Sequence, residues 1–389
     1  MEFDVHVAIV GGGIGGMCLA GLLQTHGIPV TLYEQAEVVG EVGAGLGMWS
    51  NAVRVLHYLG LQKELEHIGR PMKLSEIVNK SGKVLRFVDV GAVVKEEGIE
   101  APCYILHRAE LHQLLRSVVD PAHVVVGARC LGVEHRGPVA TLHLERLAPV
   151  QASLVVGADG LHSRVRAALW GAEDPIYAGE PCFRGVAEVD YEDVDYLREL
   201  QGEGKRAGIC PLSGRRVYWW LTVPGPQGVL IPPAERQAYL RGHFTGWPHG
   251  LEALIAATPS ERILQNDLFD RPPLQTWSHG PVTLLGDAAH PTTPNLGQGA
   301  CMAVIDAAVL TRALLTSSDV ATALNAYEGA RLRETASVVK LSRQWGNVGQ
   351  WTSPAGTWLR ETMMGLFPTW MVRSTLVKQI NSMPELSVV

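Results

Sequence analysis

Apolar residues near the start of the chain follow a strand–helix–strand pattern. The run VHVAIV predicts a short buried strand, IGGMCLAGLLQTHG a helix, and IPVTLYE a second strand. Gly11, Gly13, Gly15 and Gly16 fall at the turn between the first strand and the helix, and Glu34 ends the second strand. This arrangement is typical of a dinucleotide-binding βαβ unit.

Farther along the chain the pattern changes twice. Between about Glu180 and Asp270, segments such as KRAGICPLSG and RRVYWWLTVPG alternate like antiparallel strands. After about Ala330 the sequence predicts helices rich in tryptophan and methionine. We therefore expect a mixed α/β (α+β, two-domain) protein, with a Rossmann-like dinucleotide domain, an inserted antiparallel β-sheet domain for the substrate, and a C-terminal helical segment. The expected boundaries are 1–75, 101–179 and 271–330 for the discontinuous dinucleotide domain, 76–100 and 180–270 for the sheet domain, and 331–389 for the helices.

Each of three glycines has a physical task in the N-terminal unit. Gly11 permits the tight turn, Gly13 lets main-chain N–H groups approach a diphosphate, and Gly16 lets the helix pack against the strand. The helix N-terminus offers N–H donors to phosphate oxygens, and the Glu34 carboxylate can accept both hydroxyls of an adenosine ribose. These residues leave open whether the dinucleotide is FAD or NAD, and a glycine-rich turn without a ligand is the alternative.

Composition narrows the choice of function. The formal net charge of −6 argues against binding of nucleic acid or other polyanions. The six cysteines are scattered without a C-x-x-C pair, which argues against a metal site or a redox dithiol and fits reduced thiols in the cytoplasm. We expect no signal peptide and no transmembrane helix, and a monomer or homodimer.

Two distant motifs favour FAD. LVVGADGLHSRVR places Asp159 after one strand, and VTLLGDAAHPTTPNLGQGAC places Asp287 after another, ahead of a long helix. With the N-terminal glycines, these motifs resemble, in order and over nearly the whole chain, those of the class A flavoprotein monooxygenases, the para-hydroxybenzoate hydroxylase-like family. Cys301 in GQGAC is similar to the zeaxanthin-epoxidase-like and urate-hydroxylase-like bacterial branch, and we expect it to be a small helix-facing residue and not a nucleophile.

The resemblance implies roles for the second half of the cofactor site. Asp287 is expected to hydrogen-bond the ribityl chain of FAD. Gly297, Gln298 and Gly299 are expected to direct main-chain N–H groups at the N1/O2 edge of the flavin, where negative charge develops on reduction. Pro294 would lie beside the flavin ring.

Three charged residues complete the expected cofactor site, each with a structural alternative. The resemblance implies that Arg108 contacts FAD and that Arg54 matches another basic family residue, and a surface salt bridge is the alternative for both. In the family the motif of Asp159 serves FAD indirectly and is implicated in NAD(P)H binding, and capping of the next helix is the alternative. His290 and Asp306 are expected to be structural.

The segment VYWWLTV predicts a side of the sheet that faces the substrate. Tyr218 and Trp220 share one face. Either this face lines the substrate pocket or both faces are core. Arg184 and Pro294 are further pocket candidates. No catalytic base is assigned, because Gly47 stands where some pyridine hydroxylases of the family carry histidine.

The implied reaction is hydroxylation of an aromatic or heteroaromatic small molecule through a flavin C4a-hydroperoxide, with NADH or NADPH as the electron donor and O2 as cosubstrate. The alternatives are epoxidation of an alkene, FAD-dependent oxidation without oxygen insertion, and, in another class, a non-catalytic flavin-binding protein.

The C-terminal helices are expected to pack on the FAD domain. A dimer contact, a lid, or a membrane-surface contact helped by Arg360 and Arg373 are the alternatives.

Overall fold

The computed structural model of the chain describes residues 5–37 and 44–382. Positions 1–4, 38–43 and 383–389, which belong to the expected first and last domains, lie outside the described residues. Within the described residues the strands are, in chain order, β1 (Val7–Val10), β2 (Val30–Tyr33), β3 (Gly45–Met48), β4 (Arg70–Pro71), β5 (Leu74–Asn79), β6 (Val84–Asp89), β7 (Tyr104–His107), β8 (Val124–Val125), β9 (Cys130–Arg136), β10 (Val139–Leu144), β11 (Val150–Ala152), β12 (Leu154–Gly157), β13 (Ile176–Glu188), β14 (Tyr196–Gln201), β15 (Arg206–Pro211), β16 (Arg216–Thr222), β17 (Leu264–Asp270) and β18 (Val282–Leu284).

The α-helices of the same residues are α1 (Ile14–Thr25), α2 (Ser50–Tyr58), α3 (Gln62–Ile68), α4 (Val90–Glu96), α5 (Arg108–Ser117), α6 (Arg164–Trp170), α7 (Arg236–Phe244), α8 (Leu251–Ala257), α9 (Gly299–Thr316), α10 (Val320–Gly349), α11 (Pro354–Leu366) and α12 (Thr369–Asn381). Short 3-10 turns occupy Pro121–His123, Pro233–Glu235, Ser260–Arg262, Gly286–Ala288 and Pro294–Leu296.

A five-stranded parallel sheet forms the centre of the dinucleotide domain. Its strand order is β18-β12-β1-β2-β8, and every neighbouring pair is parallel. All residues of β1, β12 and β18 are buried, as expected for parallel strands covered on both faces. Because these three strands are neighbours and point the same way, the loops at their carboxyl ends meet at one edge of the sheet.

A seven-stranded sheet forms the second layer, in the order β17-β13-β16-β15-β14-β5-β6. Its pairs are antiparallel except for β14 with β5, which are parallel. One face carries Phe183, Trp219 and Leu221 in a buried apolar cluster with residues of α7 and α8. The strand pattern between 180 and 270 did not indicate these two helices, which give the sheet an apolar cover on that face.

Helix α9 runs through the middle of the protein. By length and composition it is apolar enough to cross a membrane, with a mean hydropathy of 1.5, and it is the single helix of that kind in the described part of the chain. However, 67% of it is buried inside the protein, where it packs between α1 and α10. It also contains two charged residues, Asp306 and Arg312. A buried core helix accounts for its composition.

The C-terminal helices pack on one edge of the seven-stranded sheet and on two other helices. Helix α11 contacts β6, and α12 contacts α2 and α4. Arg360 is buried and donates to the carbonyl oxygens of Gly349 and Gly202, at 3.1 and 2.8 Å. Arg373 pairs with Glu96 at 2.8 Å and also with Glu97. Both arginines considered for a membrane contact therefore bind protein groups.

Candidate cofactor and substrate site

The glycine loop after β1 needs glycine at two positions for steric reasons. Gly11 has a φ of +107°, and a Cβ on it would collide with the Ala158 carbonyl group. A Cβ on Gly16 would collide with the Gly11 carbonyl oxygen. The loop after β1 thus lies directly against both the loop after β12 and the first turn of α1. Gly15 packs in the same way against Leu285, at the end of β18.

The N-terminus of α1 is open on the side away from the sheet. Gly13 caps the helix without a side-chain hydrogen bond, and no acidic residue lies in the first turn. A Cβ on Gly13 would meet no atom of the described residues within 4 Å. The helix therefore presents main-chain N–H donors in a cradle that a side chain would fill, which fits a diphosphate.

Glu34 lies beside this cradle. Its Oε2 accepts the Gly12 N–H at 2.7 Å, and its Oε1 accepts the Ala36 N–H at 2.8 Å. Each carboxylate oxygen keeps lone-pair capacity for a ribose hydroxyl. His112, buried on α5, lies 2.6 Å from the Gly12 carbonyl oxygen through its Nε2 and fixes the loop from the other side. Sequence reasoning missed His112, although its position four residues after Arg108 puts both on one helix face.

Asp159 caps helix α6. Its carboxylate accepts hydrogen bonds from the Ser163 hydroxyl at 2.5 Å and from the Arg164 N–H at 2.7 Å. Burial raises the pKa of Asp159, and these hydrogen bonds oppose the shift. The buried Arg166 on the same helix donates to the carbonyl oxygens of Ala288 and Ala289, at 3.3 and 3.0 Å. Helix α6 therefore ties the loop after β12 to the loop after β18.

Asp287 lies at the floor of a cleft. Its side chain is exposed, yet protein atoms surround it closely enough for burial to raise its pKa, with the charges of His290 and Arg108 opposing the shift. A Cβ on Gly299 would lie 4.0 Å from the Asp287 Oδ1, so the carboxylate is next to the first turn of α9. The Gly286 N–H donates to Asp306 at 3.1 Å, which anchors the loop to the core.

No side chain caps the main-chain N–H groups in the first turn of α9 within the described residues. Gln298 caps the helix without a side-chain hydrogen bond, and its buried Nε2 has no partner among the described residues. Gly297 has a φ of +60°, and its carbonyl oxygen accepts the Trp49 indole N–H at 3.3 Å. Pro294 is exposed at the start of the preceding 3-10 turn. An electron-rich edge such as that of a flavin fits against these donors.

Arg108 and Arg54 occupy different surroundings. Arg108 opens α5, its N–H donates to the Ala44 carbonyl at 2.7 Å, and its charge acts on both Asp287 and Tyr218. It thus lies between the cofactor cleft and the seven-stranded sheet. The Arg54 guanidinium donates to the Ile380 carbonyl of α12 at 3.1 Å, and burial lowers its pKa. A cofactor contact for Arg54 stays a prediction.

The second face of the seven-stranded sheet turns toward the cofactor cleft. Tyr218 packs against β3, because a Cβ on Gly45 would collide with its ring. Trp220 pairs in register with Arg184 on one side and with Gly208 on the other, and its indole lies over Gly208. Arg184 donates to the Asn266 side chain at 2.5 Å. The pocket candidates Tyr218, Trp220 and Arg184 therefore share one face, opposite the core face of Trp219.

The loops after β1, β12 and β18 thus converge on one cleft, with Glu34 at one end and Asp287 at the other. The cradle at Gly13, the unpartnered amide of Gln298 and the uncapped start of α9 fit the diphosphate and ring of FAD. This fold and site define a FAD-dependent oxidoreductase.

Comparisons with known proteins agree with that class. A family model described as FAD binding domain matches residues 4–342. An Aurachin C monooxygenase/isomerase of Stigmatella aurantiaca is 37% identical over 366 residues, 94% of each chain. A FAD-dependent urate hydroxylase of Mycolicibacterium vanbaalenii is 34% identical and covers 87% of each chain. The crystal structure of Klebsiella pneumoniae HpxO complexed with FAD and uric acid has a TM-score of 0.90 at 26% identity, over 99% of this chain and 98% of that one.

The chain belongs to this FAD binding domain family. It is a FAD-dependent aromatic monooxygenase of class A, with NADH or NADPH as cosubstrate. The expected fold class, cofactor and enzyme class are thereby confirmed, and the non-catalytic alternative does not hold.

Two glycine substitutions are expected to separate folding from cofactor binding. Gly16→Ala should destabilise the protein by about 1–3 kcal/mol or more, because its methyl group has no room against the Gly11 carbonyl. Gly13→Ala should leave the apoprotein as stable as wild type but lower FAD affinity, because its methyl group meets no atom in the described part of the chain and projects into the diphosphate cradle. Chemical denaturation of both apoproteins and FAD titration test this. Equal effects of the two variants on both measurements would contradict the assignment.

Proposed function

We propose that this protein hydroxylates a heteroaromatic small molecule held between the Tyr218–Trp220 face of the sheet and the first turn of α9. The observation that carries the proposal is that the charge of Arg108 acts both on the Asp287 carboxylate, beside the uncapped start of α9, and on Tyr218 of this face. Bound FAD would supply reduction by NAD(P)H and activation of O2. The names of the relatives that act on urate and 6-hydroxynicotinate support a nitrogen heterocycle.

The protein's own groups would bind, orient and exclude water. Glu34 would hold the adenosine ribose, the first turn of α1 the diphosphate, and Asp287 the ribityl chain. The N–H groups at Gly297–Gly299 would stabilise negative charge at the edge of the ring. Trp220 and Tyr218 would provide the apolar wall that keeps the oxygen-transfer chamber dry.

The proposal includes a cytoplasmic location for the protein. Its oligomeric state is either a monomer or a homodimer. The location is supported by six cysteines that are all free and buried. Exposed apolar side chains on α11 and α12, among them Trp358, Leu366 and Trp370, are the natural candidates for a dimer contact.

The test is substrate-stimulated NAD(P)H consumption under isotopically labelled O2. Purified FAD-loaded protein is assayed with phenols, 4-quinolones and purines, and products are analysed by mass spectrometry. The proposal expects at least one nitrogen heterocycle to accelerate NAD(P)H oxidation and to gain one labelled oxygen atom. Acceleration without incorporation would instead support oxidation without oxygen insertion. Incorporation across an alkene would support epoxidation. Failure of every compound in the panel would contradict the proposal.

A further inference from the structure

One carboxyl group on the Tyr218–Trp220 face of the sheet has no assigned task. Glu199 on β14 pairs in register with Gly208, which pairs with Trp220, which pairs with Arg184. These residues form one row across the same face of the sheet, because directly opposed residues on neighbouring strands point to the same side. The Trp220 indole lies over Gly208, so it lies directly beside Glu199.

Glu199 is enclosed by protein atoms yet remains partly exposed, as Asp287 does at the floor of the cofactor cleft. Its Oε1 accepts the Gln201 side-chain N–H at 2.6 Å, and the Trp345 side chain of α10 hydrogen-bonds the same carboxyl group. The carboxyl group therefore has two indoles as neighbours, that of Trp220 in its own row of the sheet and that of Trp345 on α10, and indole faces suit a flat aromatic ring.

The charged groups around Glu199 have other partners, so the Glu199 carboxylate is not part of a structural ion pair among the residues that the structure describes. Arg206 on β15 faces it but is already paired with Glu180, and both are 1% exposed. Arg360 on α11 also faces it, but its guanidinium donates to main-chain carbonyls. Within the described ranges, Glu199 forms no ion pair, and burial raises its pKa, with the charge of Arg206 opposing the shift.

Other titratable groups on this face are poorly suited to accept a proton. Burial raises the pKa of the Tyr218 hydroxyl well above its ordinary value and raises that of the Cys182 thiol to about 11. Burial also raises the pKa of the Cys210 thiol, next to Tyr218 in the register. All three stay protonated at neutral pH. Arg184 is a cation and has no lone pair with which to accept a proton.

We propose that Glu199 is the catalytic base of the chamber and that the substrate carries an acidic ring O–H or N–H, which this carboxylate deprotonates. This inference rests on the proposed function. The substrate O–H or N–H bond breaks, a carboxyl O–H bond forms, and the electron pair stays on the substrate, where it enriches the ring carbon that receives oxygen. The same carboxyl group returns the proton when the product forms. A base with a raised pKa is matched to this task.

The test compares Glu199→Gln with Glu203→Gln, an exposed glutamate in the next turn that pairs with Lys80. The probe is the panel compound that most accelerates NAD(P)H oxidation, together with its O- or N-methyl derivative. Glu199→Gln should lower kcat/KM for the probe by about 100-fold or more and remove the acidic limb of the wild-type pH profile. Glu203→Gln should match wild type. The methyl derivative, which lacks the proton, should bind both variants equally well.

Thermal stability separates this role from a structural one. The folded-state pKa of Glu199 is raised, so at neutral pH its ionised form opposes folding, and a neutral glutamine relieves that effect. The FAD-loaded Glu199→Gln variant should therefore keep its cofactor and melt at the wild-type temperature or above. A lower melting temperature together with unchanged kcat/KM would overturn the proposal.

The ultraviolet spectrum of the bound probe gives a measurement that needs no variant. Wild-type protein should bind the probe as its anion at a pH at which the free probe is neutral, and Glu199→Gln should bind it neutral. An unshifted probe ionisation in the wild-type complex would overturn the role of Glu199. The outcomes for the two proposals are distinguishable. If no panel compound gains labelled oxygen, the proposed function fails. If Glu199→Gln incorporates labelled oxygen at the wild-type rate, only the role of Glu199 as the base fails.

Discussion

Replacing Asp287 with alanine is expected to raise the Kd for FAD by about 10- to 100-fold, the cost of losing one hydrogen bond to a charged group. The carboxylate faces the first turn of α9 from the floor of the cleft, where the ribityl chain would pass. Because burial raises the pKa of Asp287, its ionised form opposes folding of the apoprotein at neutral pH. The Asp287→Ala apoprotein should therefore be as stable as wild type or more stable. Flavin titration and thermal melting of the apoprotein measure the two effects.

Asp190→Ala is the matched control for this experiment. Asp190 is exposed and pairs with Arg215 at the far end of the sheet. Its loss should change neither FAD affinity nor the melting temperature of the apoprotein. If Asp287→Ala retained FAD as well as Asp190→Ala does, the second half of the cofactor site would be wrongly assigned.

Asp306→Asn is expected to destabilise the protein by about 3–5 kcal/mol, the usual cost of removing one partner of a buried ion pair. The Asp306 carboxylate accepts hydrogen bonds from Arg331 at 2.7 Å and from the Gly286 N–H, and it lies 2.6 Å from the His290 Nε2. Asp306, His290 and Arg331 are all at most 2% exposed. Asparagine keeps the size of the side chain but removes the buried carboxylate partner of Arg331, which then pairs, among the described residues, only with the half-exposed Glu334. Urea denaturation of the wild type and the variant measures the loss.

The pH dependence of stability offers an independent check on Asp306. Burial alone would raise its pKa, but the charges and hydrogen bonds of His290 and Arg331 lower it from 3.8 to about 2. A depressed carboxyl pKa gives stability that is complete above the unfolded value and is lost as the pH falls through the folded one. This amounts to about 2 kcal/mol between pH 4 and pH 2. Asp306→Asn should lack that part of the acid destabilisation. Identical acid profiles for the two proteins would contradict the network.

Local sequence was sufficient to predict those parts of the site whose residues are neighbours in the chain or directly follow a strand. The strand–turn–helix around Gly11–Gly16 depends on neighbouring residues, and the structure places α1 and β2 within a few residues of the predicted segments. The motif residues Asp159 and Asp287 follow buried strands, so their convergence at one edge follows from parallel pairing. The identity of the cofactor, FAD, came from the resemblance to the class A monooxygenases.

Long-range packing determined the features that sequence reasoning missed. Arg54 meets a carbonyl 326 residues away on α12, and no local pattern encodes that contact. Glu199 joins Trp220 through the register of three strands, which depends on turn lengths and on the parallel β14–β5 pair. Helices α7 and α8 pack on the Trp219 face of the sheet, a contact between distant segments that no local pattern encodes.

A crystal structure of the protein with FAD and the panel compound that it oxygenates tests the central claim most directly. The account predicts the ribose hydroxyls within about 3 Å of the Glu34 carboxylate and the ribityl chain at the same distance from Asp287. It also predicts that the compound lies between the flavin ring and Trp220. A flavin bound outside the cleft of the three loops, or a compound bound away from the Tyr218–Trp220 face, would contradict it.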